Sequence, residues 1–334
     1  LGSHFRPWGH FSWVFNKIPE NKWDLLGCLS TEERCLAALG LIRGRNQLNQ
    51  IRFLQVKDPS SKYSESANSK LKYQSREFMS LGGSTDDIED YELFEKHSNL
   101  VESANSLIKG SNGNVIIDIS SFPKRFFFPI LRLLMRASSI TNLIATYTVP
   151  KEYSEGDLAE DPQTWLTLPL FGVQTYPEPN VDVAIVGVGF LPFGLPELLK
   201  NEYSNASVRL FFPFPPGPPT YQRSWKFVRQ IEHYYRLQSS NQLIRVNALD
   251  VSGTFEHICV EPNLGSKNAI LAPYGPKPLS LAMCIYATLV NAPVYYTQPR
   301  IYNPDYCTGV KTVNGVPETY AYCLRLGGKF FYSI

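Results

Sequence analysis

Two short stretches of this chain combine the residue types that hold anions, and they occur at matching places. The first is Asp118-Ile-Ser120-Ser121-Phe-Pro-Lys124-Arg125, followed by Lys151 in the motif Tyr147-Thr-Val-Pro-Lys-Glu-Tyr153. The second is Tyr274-Gly275-Pro-Lys277, followed by Arg300 in Tyr296-Thr-Gln-Pro-Arg-Ile-Tyr302. The closing motifs agree at Tyr, Thr, Pro and Tyr, and set Lys against Arg. A proline in the first helical turn presets a helix start, whose unpaired backbone N–H groups and positive dipole end favour negative charge. Lys124 and Arg125, or Lys277, would add formal charge there. Ser120 and Ser121 add hydroxyls, and Gly275 lets a backbone come close. The chemistry these residues fit is the binding of a phosphate-like anion, and the bland reading is a common helix opening repeated by shared ancestry.

Acid–base chemistry has fewer candidates. Asp118 ends an apolar run, either as a functional carboxylate or as a capped structural one. Asp250-Val-Ser-Gly-Thr-Phe-Glu-His257 is the one place where acid, hydroxyl and imidazole cluster. Asp118, Asp250 and His257 are therefore the catalytic candidates for cleavage of a nucleotide or phosphoester bond. No G-x-S-x-G elbow accompanies them. Gly187, Gly189 and Gly194 follow a strand-like run, but their spacing is not that of the dinucleotide fingerprint. Tyr302-Asn-Pro-Asp-Tyr306 reads as a turn just beyond Arg300, placed to wall the same pocket.

These residues need elements to position them. Val115–Ile119 and Val181–Phe190 contain continuous apolar runs, the pattern of parallel strands buried on both faces. Trp23–Leu29, Ile51–Val56, Leu143–Thr148, Val208–Phe212, Leu243–Ala248, Ala269–Leu271 and Val294–Thr297 read as further strands. Helical spacing marks Glu95–Lys109 and Tyr221–Leu237. Strands alternating with helices predict an α/β fold made of two Rossmann-like, mostly parallel halves related by internal duplication. The aromatic tail Thr319–Leu326 predicts an antiparallel C-terminal edge. The expected division is residues 1–160, a connector at 161–180, and 181–334. In such sheets ligands bind beyond the carboxyl ends of the strands, where both Lys-bearing turns fall.

The Ser120-Ser121-Phe122-Pro123-Lys124 and Tyr274-Gly275-Pro276-Lys277 turns, each between a strand and a helix, resemble the ligand loop of CARF domains. These are Rossmann-like sensors of cyclic oligonucleotides in CRISPR-linked and related prokaryotic defence proteins. The Gly-Thr that usually precedes the Lys is absent from both turns. The resemblance implies a nucleotide-sensing or regulatory component of antiviral defence, with two sensor-like halves. It supplies no effector, since no helix-turn-helix or nuclease signature is present.

Composition narrows the classes. The chain has 334 residues, 43% of them hydrophobic and 19% charged, enough apolar material for two cores. A formal net charge of +2 gives no bulk attraction to nucleic acid. The six cysteines form no Cys-x-x-Cys pair and the five histidines no zinc spacing, so neither a metal nor a cofactor is expected. No apolar run approaches the ~20 residues of a membrane helix, and the start lacks a leader pattern, so a cytoplasmic location is the expectation. The expected partners are a small phosphorylated or nucleotide ligand, a protein at the stiff Pro213–Pro219 loop, and a second copy of the chain. A purely assembly-forming protein is the remaining alternative, in which the repeat is only ancestry.

Overall fold

The computed structural model describes residues 5–156, 158–162, 164–173, 180–200, 203–214, 220–234 and 242–334. They form two compact units, Leu1–Asp161 with Arg300–Tyr332, and Pro162–Pro299 with Ser333–Ile334.

In the first unit five parallel strands run in the order Ile88–Glu92, Leu48–Lys57, Trp23–Leu29, Asn114–Asp118, Asn142–Thr148. Numbered along the chain this is 3-2-1-4-5, the order of a Rossmann sheet. Trp23–Leu29 is buried throughout, and Val115 to Asp118 likewise. That is why neither shows the alternation of a strand with one face in water. The helices Ala37–Gly44, Ser64–Ser80, His97–Gly110 and Lys124–Arg136 intervene. The polar stretch after Lys57 thus resolves into a helix of 17 residues, whose buried residues are Gln74 and Phe78. Lys124–Arg136 is the opposite case: Phe126 to Arg132 are all buried, the charged Arg132 among them. Trp23, Phe53, Phe78, Ile116, Ile144 and Cys323 belong to this unit's core.

The antiparallel edge is present. Thr319–Leu326 pairs with Asn142–Thr148, Trp8–His10 pairs beyond it, and Lys329–Phe330 returns on it. Arg325 from this tail donates to the carbonyls of Ala137 (2.7 Å) and Ile140 (2.6 Å), just past the helix Lys124–Arg136. The tail therefore completes the first unit. The expected second half, 181–334, ends instead at Pro299, because a strand's unpaired edge groups select a partner by geometry and not by chain order.

The second unit repeats the order. Gln242–Asn247, Ser207–Phe214, Val183–Gly187 and Ala269–Pro273 are all parallel, and Val294 bridges Leu271 in the fifth position. The equivalence extends to side chains. At the amino ends of the strands Asp24 accepts from Asn112 N–H and Asp182 from Asn268 N–H, both at 2.9 Å. Asn114 and Asn268 each donate to the residue leading into the first strand, Lys22 O (3.2 Å) and Asn180 O (3.1 Å). Pro213 and Phe214 extend the second strand, with Pro213 opposite Val246, so the expected proline loop begins later. Its remainder, Pro215–Pro219, lies outside the described residues. Among the described residues all six cysteines are buried and unbridged, and no helix is long and apolar enough to cross a membrane.

Candidate functional site

The strand order reverses between the first and fourth strands, so the chain leaves this point toward opposite faces and opens a crevice at the carboxyl ends. In the first unit Leu29 and Asp118 end these two strands. Ser121 Oγ donates to Cys28 O across the gap at 2.7 Å. Asp118 is 1% exposed. Its Oδ1 accepts from Ser120 Oγ (2.6 Å), Ser120 N (3.3 Å) and Thr146 Oγ1 (3.2 Å). Its Oδ2 is buried without a hydrogen-bond partner. Burial pushes the carboxyl up to about 6, against the pull of these hydrogen bonds and of the Arg34 charge. Ser120 also accepts from Thr148 N–H at 2.8 Å, so one hydroxyl joins the fourth strand to the fifth.

Arg34 was not among the sequence candidates. It follows the first strand in a short 3₁₀ turn, Glu33–Leu36, and is 4% exposed. Its Nε donates to Glu32 Oε2 (2.7 Å), another guanidinium nitrogen stands 2.7 Å from the same oxygen, and a third donates to Thr148 O at 3.1 Å. The guanidinium lies 5.5 Å from the Tyr147 ring centre. Burial opposes its charge, but Glu32 and the Cys307, Tyr147 and Tyr153 groups outweigh that and hold it above its ordinary value. Cys307 donates to Glu32 Oε2 at 2.6 Å, and burial, then Glu32, pushes this thiol up. The ribbon Cys307–Val310 pairs antiparallel with Pro150–Tyr153, and Gly309 N–H reaches Glu33 Oε1 at 3.3 Å. A segment leaving the fifth strand is thereby tied to the end of the first. The sequence signal for this cluster was Ser30-Thr-Glu-Glu-Arg34 directly after a strand. Nothing local links it to Cys307.

The cations anticipated here separate. Lys124 opens its helix after Pro123 and is 8% exposed. Arg125, one residue on, donates to Glu95 O at 3.2 Å and lies 5.8 Å from the Phe94 ring centre, with its charge disfavoured by burial. It braces the neighbouring helix start. Lys151 is exposed on the ribbon, where a Cβ on Gly309 would meet its Cβ at 3.1 Å. Arg300 is exposed as well.

The second unit's crevice is built differently. Counting from the paired Asn114 and Asn268, Ala272 stands where Asp118 does and Tyr274 where Ser120 does. Thr297 N–H donates to the Tyr274 hydroxyl at 3.3 Å, repeating the Thr148–Ser120 bond, and the two hydroxyls lie 2.9 Å apart. A Cβ on Gly189 would lie 2.0 Å from Tyr274 O, and one on Gly275 3.1 Å from Val188 O. The two loops thus meet backbone to backbone. Gly187, at the end of the first strand, faces Leu279 and Gly275 N closely, so the Gly-rich run serves packing. Lys277 opens its helix half-buried. Asp250 caps the helix Val251–Val260, accepting from Gly253 N–H at 2.8 Å, and His257 is exposed in that helix's last turn. The carboxylate of the acid–hydroxyl–imidazole cluster is therefore committed to a helix cap. Among the described residues no group of three or more His, Cys, Asp or Glu is placed to hold a metal.

No protein-family model matches the chain, and no curated protein is similar to it. Among solved structures it is similar to a functionally unknown protein, PA1789, of Pseudomonas aeruginosa PAO1. The identity is 14% over 83% of this chain and 92% of that one, with a TM-score of 0.24. A universal stress protein of Archaeoglobus fulgidus DSM 4304 is similar at 10% identity over 83% and 96% of the two chains, with a TM-score of 0.22. At such TM-scores these likenesses carry no argument, and the fold rests on the strand order itself.

Proposed function

We propose that the first unit is a binding module for a small phosphorylated ligand of nucleotide type, held at the carboxyl ends of its strands. The observation that carries this reading is the buried Oδ2 of Asp118, without a partner at the point where the strand order reverses. An unfilled buried carboxylate oxygen costs on the order of 1–3 kcal/mol, so a donor from a ligand is favoured there. The helix start at Lys124 favours an anion instead. A ligand that answers both carries hydroxyl or amino donors and a phosphate, as a nucleotide does. Because Asp118 and Lys124 are nearly inaccessible, entry of such a ligand requires the Ser120–Ser121 turn to move. The likeness of that turn to sensor loops makes cyclic oligonucleotides the first members of a test panel, and a sensing role in defence the biological setting proposed.

The test is calorimetric titration with ATP, GTP, cyclic diadenylate and cyclic triadenylate. At least one binds, and Lys124→Ala weakens it about tenfold, the size of one lost charge-assisted contact. Lys277→Ala leaves affinity within about twofold, since its crevice is closed. Absence of binding to all four, or binding indifferent to Lys124→Ala, overturns the reading.

One observation favours a catalytic variant of the same reading. Asp118, with a pKa raised to about 6, receives a 2.6 Å hydrogen bond from the Ser120 hydroxyl, the relation of a general base to a nucleophile. Turnover of the bound nucleotide that disappears in Ser120→Ala supports it, and binding without turnover removes it.

A further inference from the structure

A nucleotide brings a planar base as well as an anion, and a base needs an aromatic surface that is held still yet reachable. The inference here rests on the nucleotide-binding reading above and adds to it the part of the site that selects the base.

Tyr153, Tyr302 and Tyr306 form a cluster at the outer end of the ribbon. Tyr306 stands edge-on to Tyr153, with ring centres 6.1 Å apart and planes at 79°, and to Tyr302 at 6.5 Å and 67°. A core cluster of this size would be sealed from water, as Phe126, Phe127 and Phe128 are. The residues Tyr153, Tyr302 and Tyr306 each keep part of their surface exposed, although the Tyr153 hydroxyl itself is buried.

The turn that carries them is stiff. Tyr306 N–H donates to Asn303 O at 2.8 Å, Asp305 N–H to Asn303 Oδ1 at 2.9 Å, and Ser154 N–H to Tyr306 O at 3.1 Å. Lys70, from the helix Ser64–Ser80, donates to Pro304 O at 3.0 Å and pairs with the Asp305 carboxylate. Two features connect this turn to the crevice. Cys307, the residue after Tyr306, is bonded to Glu32 at the end of the first strand. Burial and then Tyr147 raise the Tyr153 phenol while the Arg34 charge lowers it, which places Tyr153 within electrostatic reach of the guanidinium. The tyrosine turn is thereby tied to the end of the first strand, beside which the crevice opens.

We infer that Tyr306, flanked by Tyr302 and Tyr153, stacks the base of the nucleotide whose phosphate is held at the Lys124 helix start. Stacking suits every base because each has a π-face, so the turn supplies affinity for nucleotides over bare phosphates. Preference among bases would come from the groups around the rings.

The experiment titrates the full chain with the tightest of the four panel nucleotides and, in parallel, with inorganic triphosphate and ribose 5-phosphate. The nucleotide binds at least about tenfold more tightly than either base-free probe. Tyr306→Ala weakens the nucleotide by about 5- to 150-fold, the range for one lost base–aromatic stack, and leaves base-free phosphate unchanged. Tyr306→Phe, which keeps the ring, restores the affinity. As a measurement that needs no variant, irradiation with 8-azido-ATP labels a peptide containing Tyr302–Tyr306. Equal binding of nucleotide and base-free probes, equal losses for both in Tyr306→Ala, no rescue by Tyr306→Phe, or labelling only elsewhere overturns the stacking site while the phosphate reading stands. Failure of all four nucleotides to bind the unaltered protein overturns both.

Discussion

The two units share a strand order and a loop–helix motif, yet only the first sets a buried carboxylate and a buried guanidinium at the turning point of its sheet. In the first, Asp118, Ser120, Thr146, Thr148, Arg34 and Glu32 form a buried network around a carboxylate oxygen left without a partner. In the second, the corresponding turns close on each other through Gly189, Tyr274 and Gly275, and Ala272 stands in the place of the acid. At this point both keep one bond: a threonine N–H at the end of the fifth strand donating to a hydroxyl after the fourth, Thr148 to Ser120 and Thr297 to Tyr274. The repeated Tyr-Thr motif is thus explained by backbone satisfaction in both units. The buried carboxylate oxygen without a partner at the turning point belongs to the first unit. Repetition of a motif marks a shared scaffold, and the residues that differ mark where the two turns diverge.

The sharpest way to break this comparison is to open the second crevice. Gly189→Ala places a Cβ 2.0 Å from the Tyr274 carbonyl, which no rotamer change relieves. A loss of about 3 kcal/mol is expected, the upper range for overpacking. Urea unfolding followed through the second unit checks it, and an unchanged midpoint means that the crevice is not closed.

The next effect has the opposite sign. The folded pKa of Asp118 is raised to about 6, against an unfolded value near 3.9. Between those values the folded state holds more protons than the unfolded. Stability therefore falls as pH rises from ~4 to ~6, and the full cost, on the order of 2–3 kcal/mol, is present at pH 7. Asp118→Asn is expected to stabilise the protein at pH 7 and to flatten the pH dependence of its melting temperature over that window. A variant less stable at pH 7 would make Asp118 a structural residue and remove the contrast between the units.

The smallest effects should be equal. Ser120→Ala and Tyr274→Phe each strip a buried threonine N–H of its acceptor, at about 1–2 kcal/mol apiece. Matching losses in chemical denaturation sharpen the shared-scaffold reading. A loss in one unit alone would mean that the two bonds are not equivalent.

Much of the fold was legible. The continuous run at Val115–Ile119 announced a strand covered on both faces, Trp23–Leu29 read as a strand, and Pro123 and Pro276 announced helix starts. Of the site, Asp118, Ser120, Ser121 and Lys124 were readable because they are near neighbours in sequence. Arg34, Glu32 and Cys307 were not: Glu32 and Cys307 stand 275 positions apart, and no local pattern reports such a contact. Asp250 and His257 looked alike as chemistry, but only coordinates distinguish a cap from a catalytic acid. The tail at Thr319–Leu326 read correctly as antiparallel strand, while its allegiance to the first unit depended on which sheet edge lay open.

The sequence by itself determined the elements, their alternation and the doubling, because hydrophobic period, proline and capping residues act over a few positions of chain. The tertiary structure decided which of the two doubled turns holds a carboxylate with an unfilled oxygen and which is shut by its own backbone. Those outcomes depend on distances of two to three ångströms between strands far apart in sequence, and such distances exist only once the sheet has formed.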